Sequence, residues 1–162
     1  STQQMPFISE KIPTFEEFAN ASIEEIYGEE IIDAYERKVT SFESIILINK
    51  GENKFEIEKL PPLAQSIPIL TSDSYDINED GYEDVIIGGN IYNTEVETPR
   101  LDNQFAVILI SDKNKNYSTI GPDKSGLYLS GNTKSLKIVD RKNPKLLVAN
   151  NNSNLEVFEL NK

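Results

Sequence analysis

Between two apolar stretches the chain reads Asp76-Ile77-Asn78-Glu79-Asp80-Gly81-Tyr82-Glu83-Asp84, with oxygen-bearing side chains at the first, third, fifth and ninth positions and glycine at the sixth. Alternate residues of a tight loop converge on one point, and a hard cation such as Ca²⁺ takes six to eight oxygens at about 2.3–2.6 Å. Gly81 permits the sharp turn because a residue without Cβ enters positive φ without a clash. The spacing predicts a calcium site with side-chain ligands Asp76, Asn78, Asp80 and Asp84, the backbone carbonyl of Tyr82, and water. The alternative is a solvated acidic turn without metal, since Asp, Asn and Gly are ordinary turn formers.

What flanks the loop decides its class. A helical EF-hand requires a bidentate Glu at loop position 12 and a helix on each side. Position 12 here is Ile87, within Val85-Ile86-Ile87-Gly88-Gly89, a β-branched run that reads as a buried strand. Upstream, Ile67-Pro68-Ile69-Leu70-Thr71-Ser72 also reads as strand, with Pro68 near its start where a missing N–H is tolerated. A strand–loop–strand hairpin is therefore expected.

Composition narrows the function. A length of 162 residues allows one domain with a sizeable core, and a net charge of −11 argues against nucleic acid or an anionic membrane as partner. Cysteine and histidine are both absent, which removes disulfides, thiol nucleophiles, histidine bases and the usual zinc or copper sites. No apolar run approaches the ~18 residues of a membrane span. The chain starts at Ser1 with no signal peptide in view and reads as a processed or excised piece. Acidity, lack of cysteine and a calcium loop fit an extracellular or cell-surface location.

Along the chain, Ser1 to Lys11 is expected to be a loose arm. Thr14 with Glu17, and Ser22 with Glu25, are capping-box signatures for two short helices; Gly28 is placed to stop the second, and a further helix is expected from Glu29 to about Lys38. Residues 1–40 thus form an arm and helices whose apolar stripe is expected to pack on a sheet. From Ser41 the period becomes that of strands: 45–49 with 54–60, the loop hairpin from 67 to 89, 105–110 with 117–120, then 136–139, 146–149 and 155–159. About nine short strands with no helices between them predict a mainly β chain of antiparallel, blade-like sheets over residues 41–162, with one complete four-stranded blade at about 67–120.

A strand, the loop, a strand and an apolar hairpin together resemble the FG-GAP/VCBS repeat. The segment Gly88-Gly89-Asn90-Ile91-Tyr92-Asn93-Thr94-Glu95-Val96-Glu97-Thr98 is similar to one in bacterial VCBS-type surface proteins related to the cartilage acidic protein (ASPIC/UnbV) group. Gly51 to Phe55 with Leu60-Pro61, Ser125-Gly126-Leu127-Tyr128, and Leu147 to Asn152 resemble further stations of the terminal part of those chains. The pattern departs at Asn132 and Asn150, where Asp and Arg are expected. The resemblance implies about two and a partial blades of a calcium-stabilised β-propeller, and a non-catalytic binding or adhesion module with a glycan or protein ligand. Propellers close with typically 4–8 blades, and open sheet edges invite pairing. The expected partner is accordingly the rest of a larger propeller or another copy of the chain, unless the N-terminal helices cover the edge. The competing function is a glycan-active enzyme: Glu95 and Glu97 on one strand would point the same way, ~7 Å apart, within the range of inverting glycosidases, with Arg100 and Asp102 nearby.

Overall fold

The computed structural model describes residues 5–160. The chain divides into two compact units, Ser1–Ser41 and Phe42–Lys162.

The first unit carries three short helices, α1 (Phe7–Lys11), α2 (Phe15–Asn20) and α3 (Ile23–Tyr27), followed by a 3₁₀ turn at Gly28–Ile31. Both capping boxes form: the Thr14 and Ser22 hydroxyls accept from the amides of Glu17 and Glu25, whose carboxylates accept in return from the cap amides. Gly28, at φ +68, caps α3. Two expectations need correction. Residues 7–11 are helix rather than loose arm, with Ile8 buried; residues 1–4 of that arm lie outside the described ones. The helix expected from Glu29 to Lys38 stops at the 3₁₀ turn, because Ile32 and Tyr35 stay largely exposed and a short helix needs a buried face to offset its nucleation.

In the second unit nine strands are found among the described residues, in three antiparallel sheets. β1 (Ile45–Asn49) and β2 (Phe55–Lys59) form a hairpin; β3 (Thr71–Tyr75), β4 (Asp84–Gly88), β5 (Val107–Ser111) and β6 (Tyr117–Ile120) form a four-stranded meander; β7 (Thr133–Val139), β8 (Lys145–Asn150) and β9 (Glu156–Glu159) form the third sheet. Two one-turn helices, α4 (Pro62–Gln65) and α5 (Pro122–Ser125), occupy connections. The side-chain amide of Gln65 at the end of α4 clamps the hairpin, accepting from the Ser44 amide at 2.8 Å and donating to the carbonyls of Ser44 and Leu60 at 2.9 Å.

β3 starts at Thr71, four residues after the expected Ile67. Pro68 has no amide for a ladder, and Ile67 and Ile69 instead join the core beside α4.

The central strands β4 and β5 are apolar on both faces because both faces are covered. Ile87, Val107 and Leu109 pack with Leu60, Ala64 and Ile67. On the opposite face, Ile86 and Ile108 pack with Leu136, Ile138, Leu146 and Val148 of the third sheet. Strands buried on two sides read as continuous hydrophobic runs.

The seam between β3 and β7 is polar and specific. Thr71 Oγ1 accepts from the Leu136 amide at 3.0 Å; Asp73 accepts from the Ile138 amide at 2.6 Å and pairs with Lys137 at 3.0 Å. Burial pushes the Asp73 carboxyl up, but the Ile138 amide and Lys137 together outweigh it and hold the group below its ordinary value of 3.8. A depressed carboxylate contributes stability that is fully present above the unfolded-state pKa and is lost as pH falls through the lower native value. Asp73→Asn is therefore expected to lower the urea midpoint at pH 7 and to lose most of that difference near pH 2. An equal difference at both pH values would count against the charged seam.

Candidate metal loop and the asparagine cleft

The loop lies directly between β3 and β4, with strand on both sides and no helix. Its side chains turn inward onto its own backbone. Asp76 accepts from the amides of Asp80 (3.1 Å) and Gly81 (2.9 Å). Asn78 Oδ1 accepts from the Asp80 amide at 3.0 Å, and its Nδ2 donates to Asp80 Oδ2 at 3.0 Å. Asp80 Oδ1 accepts from the Tyr82 amide at 2.9 Å. These are Asx-type turns, and the reversal is completed by Glu79 at φ +59 and Gly81 at φ +91. Asp76, Asn78, Asp80 and the Tyr82 amide are thereby linked by hydrogen bonds within the loop.

Asp84, the expected ligand at the ninth position, is anchored to the main chain. It is fully buried, and its two carboxylate oxygens accept from the Ile77 amide at 3.0 Å and the Ser111 amide at 2.9 Å. It ties the start of the loop to the end of β5. Ser111 Oγ donates to the Glu83 carbonyl at 2.9 Å on the same junction. The Glu83 carboxyl is held below the ordinary range by Ser74 and by Arg141, with which it pairs at 2.9 Å.

As a donor set the loop fits a hard cation: carboxylate, amide and carbonyl oxygens, with no nitrogen or sulfur. A carboxylate or amide oxygen that accepts one N–H retains a further lone pair. Among the described residues no group of three or more His, Cys, Asp or Glu side chains is arranged to hold a metal ion; Asp76 and Asp80 are the loop's two inward acids, complemented by neutral oxygens.

The segment that would carry two acids in the competing, enzymatic alternative forms a turn. Ile91 bridges Leu101, but residues 95–98 form a turn, closed by the Thr98 amide on the Glu95 carbonyl (2.9 Å) and by Thr94 Oγ1 on the Thr98 carbonyl (2.7 Å). The strand alternation that would align Glu95 with Glu97 is absent. Arg100 is paired with Asp102 at 2.7 Å and lies 4.8 Å over the Tyr92 ring.

That same segment forms one wall of a second concavity, where Tyr92, in a loop whose tyrosine could offer a stacking surface for a sugar or simply pack at the rim, lines one side. Tyr92 and Asn93 face the 151–153 turn across a floor of Gly131 and Asn132, enclosing a volume of about 390 Å³. Gly131 is required by close approach: a Cβ there would lie 2.4 Å from Asn150 Cγ. The Asn150 side chain is fixed at both ends, accepting from Thr133 Oγ1 (2.8 Å) and donating to Glu156 (2.9 Å). Behind the floor, buried Asn90 donates to the carbonyls of Leu129 and Gly131. Asn90 Oδ1 and Asn132 Oδ1 are buried with no hydrogen-bond partner among the described residues, and an unmet buried acceptor is destabilising by about 1–3 kcal/mol. Tyr92, Asn132 and the run Asn150-Asn151-Asn152 are its traces in the sequence.

The fold and loop together define the chain as a mainly β protein of three antiparallel sheets. Compared with known proteins, the chain matches no family model, and no curated protein or solved structure matches it significantly. Among the described residues no helix is long and apolar enough to cross a membrane.

Proposed function

We propose that this chain is a calcium-stabilised, non-catalytic binding module of β-propeller type, part of an extracellular or surface-exposed protein. The observation that carries the reading is the hydrogen-bonded cluster of Asp76, Asn78 and Asp80 side chains, tied to the Tyr82 amide, between two antiparallel strands. Those side chains would hold the ion with the Tyr82 carbonyl and with Asp84, whose oxygens each keep a lone pair beyond the amide they accept. Bound calcium supplies two positive charges among clustered oxygens. The rest of the chain orients the cluster: Gly81 sets the reversal, and Ser111 locks Asp84.

The blade-like organisation is supported by the order of the layers, since hairpin, four-stranded sheet and three-stranded sheet follow one another in sequence and stack through their faces. The hairpin's outer face supports completion by a further sheet, from the rest of a longer protein or a second copy. Ile45, Leu47, Phe55 and Ile57 share that face and are exposed. Loops held on such a rigid frame are suited to display a binding surface.

Calorimetric titration of the chain with Ca²⁺ tests the reading. One site per chain is expected, lost in Asp80→Ala; a silent titration would remove the ion from this account.

A further inference from the structure

We infer that the cleft between Tyr92–Asn93 and the 151–153 turn is a binding site for an uncharged sugar residue of a glycan. The inference rests on the binding role proposed above, but not on calcium, because none of the cleft's residues belongs to the loop.

The lining itself selects the ligand. The chain carries 43 Asp, Glu, Lys and Arg residues by the counts 27 and 16, yet none of them lines this cleft. A cation would find no carboxylate there to neutralise it, and an anion no ammonium or guanidinium. What lines it are four asparagine amides, a serine hydroxyl and a tyrosine. Each amide presents a donor and an acceptor side by side. A vicinal diol, in which each hydroxyl both donates and accepts, is the complementary group. A largely apolar ligand is disfavoured because Tyr92 is the sole aromatic side chain in the lining, and drug-like sites are mostly apolar.

The four asparagines differ in burial. Asn132 is 6% exposed, and its Oδ1 is closed to solvent with no hydrogen-bond partner among the described residues. Asn93, Asn151 and Asn152 are exposed, and their amides are the ones that meet a ligand. The floor is preorganised for this. Asn150 is held at both ends, the Asn151 amide donates to the Asn132 carbonyl at 2.9 Å, and Tyr92 OH donates to the Ser130 carbonyl at 3.1 Å. Binding then loses little freedom in the protein. A peptide strand is the less suitable occupant, since it is recognised chiefly through the unpaired edge of a sheet, whereas this lining is side-chain amide.

The test is a ¹H–¹⁵N titration of the full chain with gluco-, manno-, galacto- and xylo-oligosaccharides, with oligogalacturonate as the charged comparison. At least one neutral oligosaccharide is expected to shift the side-chain amide signals of Asn93, Asn132 and Asn152 saturably. The exposed double variant Asn93→Ala/Asn152→Ala is expected to weaken that binding at least tenfold while keeping the wild-type calcium response. Failure of every neutral sugar at millimolar concentration, preference for oligogalacturonate, or undiminished binding by the variant would overturn the proposal. Loss of the calcium response in wild type, with sugar binding intact, would instead overturn the metal reading alone.

Discussion

Asp84→Ala is expected to be the most damaging single substitution in the loop region, lowering stability by about 3–5 kcal/mol. The carboxylate has no solvent exposure, and both of its oxygens accept main-chain amides, from Ile77 and from Ser111. Alanine removes two charge-assisted hydrogen bonds, leaves two amides without acceptors and opens space beneath the loop. Asp84→Asn retains one acceptor and presents an amide donor to the other N–H, so about half the loss or more should remain. Urea unfolding followed by circular dichroism measures both. A loss below about 1 kcal/mol, the size of a surface substitution with minor effect, would mean that the junction between loop and β5 is not what organises this end of the sheet. The deficit should appear with and without calcium, because the bonds that Asp84 makes are to the chain.

Calcium itself should raise the melting temperature. A ligand that binds only the native state stabilises by RT ln(1 + [L]/Kd), about 2.7 kcal/mol at a hundredfold excess over Kd. For a chain of this size that corresponds to roughly 5–10 °C. Excess chelator should reverse the shift, and Asp76→Ala or Asp80→Ala should abolish it. The physical basis is repulsion within the cluster: Asp76 and Asp80 are joined through the Asp80 amide, and Asn78 bridges to Asp80 from the other side. Unchanged melting across calcium and chelator would leave a self-bonded acidic turn, which is the alternative that the loop's Asx hydrogen bonds also permit. Comparison with Asp84→Ala separates the two roles, one dependent on the ion and one on the main chain.

Several local features were legible in the residues alone because their determinants lie within a few positions of one another. Thr14 with Glu17 and Ser22 with Glu25 close their capping boxes over three residues. The loop reverses where Gly81 stands, and its Asx turns link residues two to five apart. The β-branched run from Val85 became the buried strand β4 for the same reason. Readings that depended on remote partners went astray. The helix expected from Glu29 to Lys38 has the right spacing but no buried face, and the alternative that aligns Glu95 with Glu97 along a strand meets the Thr94–Thr98 turn.

By itself, then, the sequence determined the antiparallel strand pattern, the capped turns and the oxygen-rich loop, all products of short-range sterics and hydrogen bonding. Only the tertiary structure decided that Asp84 serves two distant amides, that Asp73 stitches β3 to β7, and that four asparagines from three separate segments line one cleft. Those arrangements depend on which sheet faces stack. The apolar contacts of Ile86, Ile108, Leu136 and Leu146 set that stacking, and polar neighbours far apart in the chain are carried into reach by it.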